Sequence, residues 1–370
     1  MEERISRLRA LLDKNEVDSL LVSDPVNVRY LTGFTGDSTY LWVGRSRATL
    51  LSDGRFETQI RDQCGDDVAA AIRPPSMKMH QLIAEVHDAV EHGRRVGFES
   101  DQLTVAAFEQ IRGKTEVDWR STTGVVAAMR MIKDDAEIAK IERSVQIAEQ
   151  ALLEVCLPDG IDGLLRIGDQ TERELAFALE AAMRRRGATG TSFDTIVAAG
   201  AASALPHYQP SGATIGDASV LLVDWGAMVD GYASDMTRTF HGPRAGDEFD
   251  RCYDAVLAAH DAAAAAIRPG VLVGEVDAAA RQSLAAAGLA DRFVHSTGHG
   301  FGMEVHEPPR LADGETLTLA AGMVITIEPG AYLPDRFGIR LENDYLVTET
   351  SSRRLGGGIP LGLEASRRIG

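Results

Sequence analysis

Cysteine is scarce: Cys64, Cys156 and Cys252 are three thiols in 370 residues, odd in number and far apart. That spacing argues against a disulfide framework or a cysteine-ligated zinc knuckle and reads as incidental thiols of a reducing compartment. Basic charge is also in short supply. With 38 Lys and Arg against 55 Asp and Glu, the formal charge is −17 and the pI lies near 5.0. Nucleic acid and anionic membranes both need a basic surface, so neither is an expected partner. No apolar run approaches membrane-spanning length, and the opening MEERISRLRALLDK is charged and amphipathic with no apolar signal core. Low-complexity segments and tandem repeats are missing too. A cytoplasmic globular protein is the expectation, and 370 residues are long for one domain, so two are expected.

Residues 1–124 read as an α/β unit. A helix over Glu2–Asn15 leads into strand candidates Ser19–Val22, Tyr40–Val43, Ala48–Leu51, Arg95–Phe98 and Glu116–Trp119. Helical stretches fall at Phe56–Gln63, Met77–Glu91 and Thr104–Arg112. The alternation predicts a mixed sheet with helices against it. Nothing in this half gathers metal ligands or a nucleophile with a base.

From residue 125 the pattern changes. Asp134–Val155 is a long amphipathic helix with Ile138, Ile141, Val145, Ala148 and Leu152 on one stripe. A second helix starts at a capping box, Thr171 with Glu174, and ends in Arg184, Arg185 and Arg186 before Gly187. Three arginines are capable of binding an anion, but basic residues at a helix C-terminus are the simpler reading. Two Ala-rich helices follow, Glu248–Ile267 and Gly274–Gly288.

Five charged or ligating residues stand inside short apolar runs of this second half: Asp224 in LLVDWGA, Asp235 in GYASDMTRTF, His299 in TGHG, Glu328 in MVITIEPG and Glu342 in GIRLENDYLV. A carboxylate in such a run costs several kcal/mol to bury unless a cation meets it. Asp230-Gly231 is a strong two-residue hairpin turn, and it gives Asp224 and Asp235 the same parity, direct or diagonal neighbours on one face. Solvated aspartates on an exposed hairpin are the plainer alternative for that pair, and a salt bridge from Arg340 to one of the glutamates is the plainer alternative for Glu328 and Glu342. The glycines beside His299 allow close approach to the backbone. Four carboxylates and one imidazole suit two divalent cations sharing ligands; so oxygen-rich a set favours Mn(II) or Co(II), with Zn(II) or Fe(II) as options.

These residues resemble the signature of the pita-bread metallopeptidases, the Xaa-Pro dipeptidase (prolidase) and aminopeptidase P group. The Asp-Asp-His-Glu-Glu order, TGHG, VHEPP, IEPG and the R-L-E strand carry the likeness over residues 125–350, and NVRYLTGFTG resembles the extra N-terminal domain of prolidases, aminopeptidases P and creatinases. The resemblance implies a creatinase-like mixed-sheet domain over 1–124 and a pita-bread catalytic domain over 125–370. It implies that Asp224 chelates one metal, Asp235 and Glu342 bridge both, and His299 and Glu328 bind the second. His207, His295 and His306 match substrate-contacting histidines, Arg340 an arginine behind the ligands, and Arg310 one aimed at the substrate's free carboxylate. Asn343 stands where relatives often have an acid. The implied reaction is hydrolysis of the bond before proline by metal-activated water, with Glu328, His306 and His207 catalytic, small proline-containing peptides as substrates and a homodimer as the assembly. Aminopeptidase P activity on longer peptides is the alternative within the group; methionine aminopeptidases usually lack the N-terminal domain. A non-catalytic binding module on the same scaffold is the alternative outside it. Trp42 and Tyr40 are expected in the core rather than reaching a neighbouring subunit.

Overall fold

The structure, a computed structural model, describes residues 1–65, 68–90, 95–159, 169–216, 218–242 and 245–361. Two compact units divide the chain, Met1–Arg130 and Met131–Gly370. The division falls after Arg130 rather than after residue 124 because the Val125–Arg130 helix is tied into the first unit. Arg130 donates to Asn27 Oδ1 at 2.6 Å and the Tyr30 hydroxyl donates to the Met129 carbonyl at 3.4 Å.

In the first unit six strands form one mixed sheet, ordered Ala69–Arg73, Ala48–Asp53, Tyr40–Gly44, Ser19–Val22, Arg95–Glu99 and Asp118–Thr122. Trp42 is fully buried in the core under it, with Leu21, Leu51, Ile83 and Val96; Tyr40 packs at its margin. Two elements differ from expectation. Ala69–Arg73 is a strand although alanine is a poor strand former, because its parallel pairing with Ala48–Asp53 supplies the ladder. Pro25–Thr32 is a helix. Asp24 caps it by accepting from Val26 N, Pro25 takes the first turn, and Gly33 closes it at φ 77°. The last residue of the expected 77–91 helix lies outside the described residues; the helix observed is Met79–Val90.

The second unit opens with Asp135–Cys156, started by a reciprocal capping box between Asp134 and Glu137. The next helix, Glu172–Arg185, carries the expected box of Thr171 and Glu174. Its terminal arginines meet acids: Arg184 pairs with Glu180, and Arg185 and Arg186 with Glu154. Helices Gly246–Ala266 and Val273–Ala286 pack on each other and on the sheets, around a core that includes Phe249, Val256, Leu284, Ile325 and Leu341.

Three pieces of sheet position the site. Ile196–Ala199, Val220–Trp225 and Met236–His241 form an antiparallel triplet. Glu307–Leu311, Gly298–Gly300, Val324–Ile327, Asn343–Val347 and Ser352–Arg354 form a five-stranded sheet, and Gly330–Leu333 pairs with Phe337–Arg340. The hairpin turn is where the sequence puts it, Asp230 and Gly231 both at positive φ, 51° and 84°. Its register sets Thr237 opposite Asp224, so Asp235 is the diagonal neighbour on the same face. Regular pairing breaks around Gly226, where an added Cβ would lie 1.9 Å from the Ser234 carbonyl oxygen. Only glycine admits that close crossing, one residue before Asp235.

Candidate metal centre

Asp224 is the next-to-last residue of a fully buried strand, Glu328 and Glu342 lie just beyond Val324–Ile327 and Phe337–Arg340, and His299 is the middle of Gly298–Gly300. The sheets bring them together. Ligand atoms of Asp235, His299 and Glu342 lie within 4.8 Å of one another. His299 Nε2 is 3.3 Å from Glu328 Oε1 and 3.6 Å from Asp235 Oδ2. With Asp224 these residues line one cavity of about 880 Å³, which His207, His295, His306, Arg310 and Arg340 also face.

The Gly298–Gly300 strand is held from both sides. Asp277, buried on the Val273–Ala286 helix, accepts from Thr297 N at 3.1 Å and from Thr297 Oγ1 at 2.7 Å. On the other side His299 N donates to Thr326 Oγ1 at 3.1 Å, and a Cβ on Gly298 would come within 2.0 Å of the Thr326 carbonyl oxygen. Only glycine admits that approach. His299 Nδ1 lies 3.1 Å from the Gly300 carbonyl, which only accepts, so the proton sits on Nδ1 and Nε2 keeps its lone pair. Burial first, then the neighbouring His306, lower the His299 pKa to about 4, which keeps the ring neutral.

Electrostatics mark the cluster as unfinished without a cation. Burial, followed by the charges of Glu342 and Asp224, raises Asp235 well above the carboxylate range. Burial, then Glu328 and Asp224, does the same to Glu342. Burial raises Glu328 to about 8 and outweighs the opposing pull of Arg340. Asp224 is raised by burial and partly relieved by Arg340. Two carboxylates offer one spare oxygen each. Asp224 Oδ2 accepts from Arg340 and Glu342 Oε2 accepts from Thr237 Oγ1 at 2.6 Å, while Asp224 Oδ1 and Glu342 Oε1 are buried without a partner. An imidazole lone pair facing carboxylate oxygens, beside two buried oxygens lacking donors, fits a divalent cation and little else.

Arg340 forms an ion pair, but with Asp224 rather than with either glutamate, because its strand lies against Val220–Trp225. It also donates to Thr237 Oγ1 at 3.1 Å, to the Pro206 carbonyl at 3.2 Å and to the Tyr332 hydroxyl at 2.9 Å. Tyr332 passes the chain on to His295 Nε2 at 2.8 Å, and His295 Nδ1 meets the Ser296 carbonyl at 2.9 Å. His295 is thus neutral, lowered to about 4 by burial and then Arg340. The His306 ring stands 4.5 Å from that of His299, centroid to centroid. Asn343 is buried: its Oδ1 accepts from Arg238 at 2.9 Å and its Nδ2 lies 3.2 Å from His260 Nε2.

Sequence reasoning missed Thr237, Tyr332, Arg238 and Asp344. Thr237 was within reach, since the hairpin register that aligns the two aspartates places it opposite Asp224. Arg238 donates to the Thr237 and Glu342 carbonyls and to the Ile359 carbonyl at 2.8 Å. Asp344 Oδ2 accepts from Asp235 N at 3.3 Å. Both roles depend on contacts across more than a hundred residues, which no local pattern reveals.

A buried set of carboxylates around a neutral imidazole, built on this paired-sheet unit, fits a metal-dependent enzyme. The comparisons agree on which kind. Residues 139–349 match the model of metallopeptidase family M24, and residues 4–132 match the creatinase/prolidase N-terminal domain. The Xaa-Pro dipeptidase of Pyrococcus furiosus is 32% identical over 357 residues, covering 96% of this chain and 98% of that protein. Among solved structures, an Xaa-Pro dipeptidase from Bacillus anthracis superposes with a TM-score of 0.90 at 33% identity, over 98% of this chain and 99% of that one. An X-Pro aminopeptidase from Thermotoga maritima gives 0.83 at 30% identity, over 95% and 99%. The chain belongs to metallopeptidase family M24 and carries that family's creatinase/prolidase N-terminal domain ahead of the catalytic unit.

Proposed function

We propose that the chain is an Xaa-Pro dipeptidase, hydrolysing the bond before proline in dipeptides. The observation that carries this reading is Arg310. It pairs directly across the ladder with His299, and it faces the same cavity. Among the described residues its guanidinium has no hydrogen-bond or ion-pair partner. A free guanidinium beside a metal ligand suits a carboxylate one residue past the scissile bond, which is the C-terminus of a dipeptide.

Asp224, Asp235, His299, Glu328 and Glu342 would hold two divalent ions, Mn(II) or Co(II) before Zn(II), as an oxygen-rich set favours. When bound, the ions supply a water nucleophile at neutral pH and polarise the carbonyl. Glu328 Oε, ionised beside the cations, takes the proton of the attacking water and delivers it toward the prolyl nitrogen. His306, beside His299, donates to the developing oxyanion. His207 faces the leaving nitrogen. That nitrogen carries no hydrogen in the substrate, so recognition here relies on the carboxylate and the ring, not on an amide donor. His295 and Arg340, joined through Tyr332, line the substrate side of the cavity.

Three further expectations belong to the same reading. Buried free thiols at Cys64, Cys156 and Cys252 support a cytoplasmic location. No described helix is long and apolar enough to cross a membrane. A homodimer follows from the family resemblance alone.

A cavity of about 880 Å³ also admits longer peptides, which favours aminopeptidase P activity as the second reading. Hydrolysis of Ala-Pro and Met-Pro against Xaa-Pro-Xaa tripeptides, with Mn(II), Co(II) and Zn(II) supplied separately, decides between them. Arg310→Ala should lower kcat/KM on dipeptides roughly 10- to 100-fold, the value of a charge-assisted hydrogen bond, and leave tripeptides within about threefold. Equal losses on both would remove the dipeptidase reading.

A further inference from the structure

His207 stands on an exposed loop, and among the described residues its ring makes no hydrogen bond. Its neighbours are anchored instead. On one side Arg340 donates to the Pro206 carbonyl at 3.2 Å. On the other side the loop closes on Glu172, the first residue of the Glu172–Arg185 helix and only 1% exposed. Glu172 Oε2 accepts three donors from this loop: Tyr208 Oη at 2.8 Å, Ser211 N at 3.0 Å and Ser211 Oγ at 2.7 Å. Its Oε1 accepts from Ala199 N at 2.9 Å, at the end of the strand that pairs with the Asp224 strand. Backbone bonds from Glu172 N to the Ala213 carbonyl at 3.0 Å and from Arg173 N to the Ser211 carbonyl at 3.1 Å fix the far end.

We infer that Glu172 is a positioning residue for His207, setting the reach of that imidazole into the cavity by holding Tyr208 and Ser211; this rests on the reading that His207 contacts substrate. A fully buried acid is otherwise hard to explain. It touches none of the candidate ligands, and all four of its donors belong to the loop or to the strand the loop leaves. The carboxylate is required because both oxygens only accept. Glutamine of the same size must turn its NH₂ either toward Ala199 N–H or toward the three loop donors, and in either orientation a donor faces a donor. The loop then loses its fixed path, and misplacement of a catalytic group by about 1 Å costs on the order of 100-fold in rate.

A double-mutant cycle tests this. Glu172→Gln should lower kcat/KM on Xaa-Pro dipeptides roughly 10- to 100-fold, with metal affinity within about twofold of the parent. Tyr208→Phe, which removes one donor and endangers folding less, should give a smaller loss in the same direction. Combined with His207→Ala, Glu172→Gln should add almost nothing, because its effect runs through the residue already removed. Losses that multiply would overturn the inference, as would an active Glu172→Gln enzyme. Full activity in His207→Ala would sink both the inference and the role of His207, while leaving Xaa-Pro hydrolysis itself standing. Amide hydrogen exchange supplies a readout without substrate: in Glu172→Gln, exchange across 206–213 should rise about tenfold and that of Asn343–Val347 stay constant. Equal exchange in parent and variant would overturn the inference even in an enzyme with no measurable turnover.

Discussion

Glu342→Gln and Asp235→Asn are each expected to lose bound metal and turnover together, with kcat/KM falling at least ~10³-fold, the several kcal/mol that a metal centre contributes. The reason is local. Glu342 spends one oxygen on Thr237 Oγ1 and leaves the other buried and unmet. Asp235 is pushed well out of the carboxylate range by burial and by Glu342 and Asp224. Converting either to an amide removes a ligand charge but relieves repulsion. In the presence of a chelator, both variants should therefore melt at or above the temperature of the parent. An ion-pair role predicts the reverse: a lower melting temperature and unchanged turnover in whatever remains folded. Elemental analysis, steady-state kinetics and melting in chelator, on the same preparations, separate the two outcomes.

Stripping the metal should make stability fall steeply with rising pH. Glu328 has an ordinary pKa of 4.5, and burial holds it at about 8 in the folded chain. Between those values the native state binds a proton that the unfolded state has released. Its contribution is complete below the lower value and disappears as pH rises through the upper one. Asp235 and Glu342 shift in the same direction, which adds to the slope. His295 and His299 act oppositely: lowered to about 4, they favour the native state as pH rises toward their ordinary 6.5. Above about pH 6.5 most of these imidazoles are neutral in both states, so from there to about pH 8.5 the carboxylates dominate the slope. The stripped protein should lose roughly 5 °C or more of melting temperature across that interval. Added Mn(II) should restore it, with the larger gain at the higher pH, because a cation replaces the protons. A stripped protein whose melting temperature is flat or rising over the interval would show that these carboxylates do not share a buried cluster.

Much of the site was legible because burial and charge conflict visibly along the chain. LLVDWGA and MVITIEPG place acids where strands are wholly apolar, and Asp230-Gly231 lets parity be counted across the hairpin to within a diagonal. Capping boxes announce the helix starts at Asp134 and Thr171 for the same reason: the signal is three residues long and needs no tertiary partner. What stayed hidden depends on the way strands meet. Arg340 is close to two glutamates in sequence, yet its partner is Asp224, since Phe337–Arg340 lies against Val220–Trp225. The Pro25–Thr32 helix has its own punctuation, Asp24, Pro25 and Gly33, but is too short for periodicity to stand out. Ala69–Arg73 owes its strand to a parallel neighbour.

The most direct measurement is a crystal structure of Mn(II)-loaded protein with anomalous differences collected at the manganese edge. Two peaks are predicted, shared among the carboxylate oxygens of Asp224, Asp235, Glu328 and Glu342 and the Nε2 of His299, at roughly 2.0–2.3 Å. Peaks lying away from those atoms, or none at full Mn(II) loading, would contradict the assignment of this cluster as a metal centre.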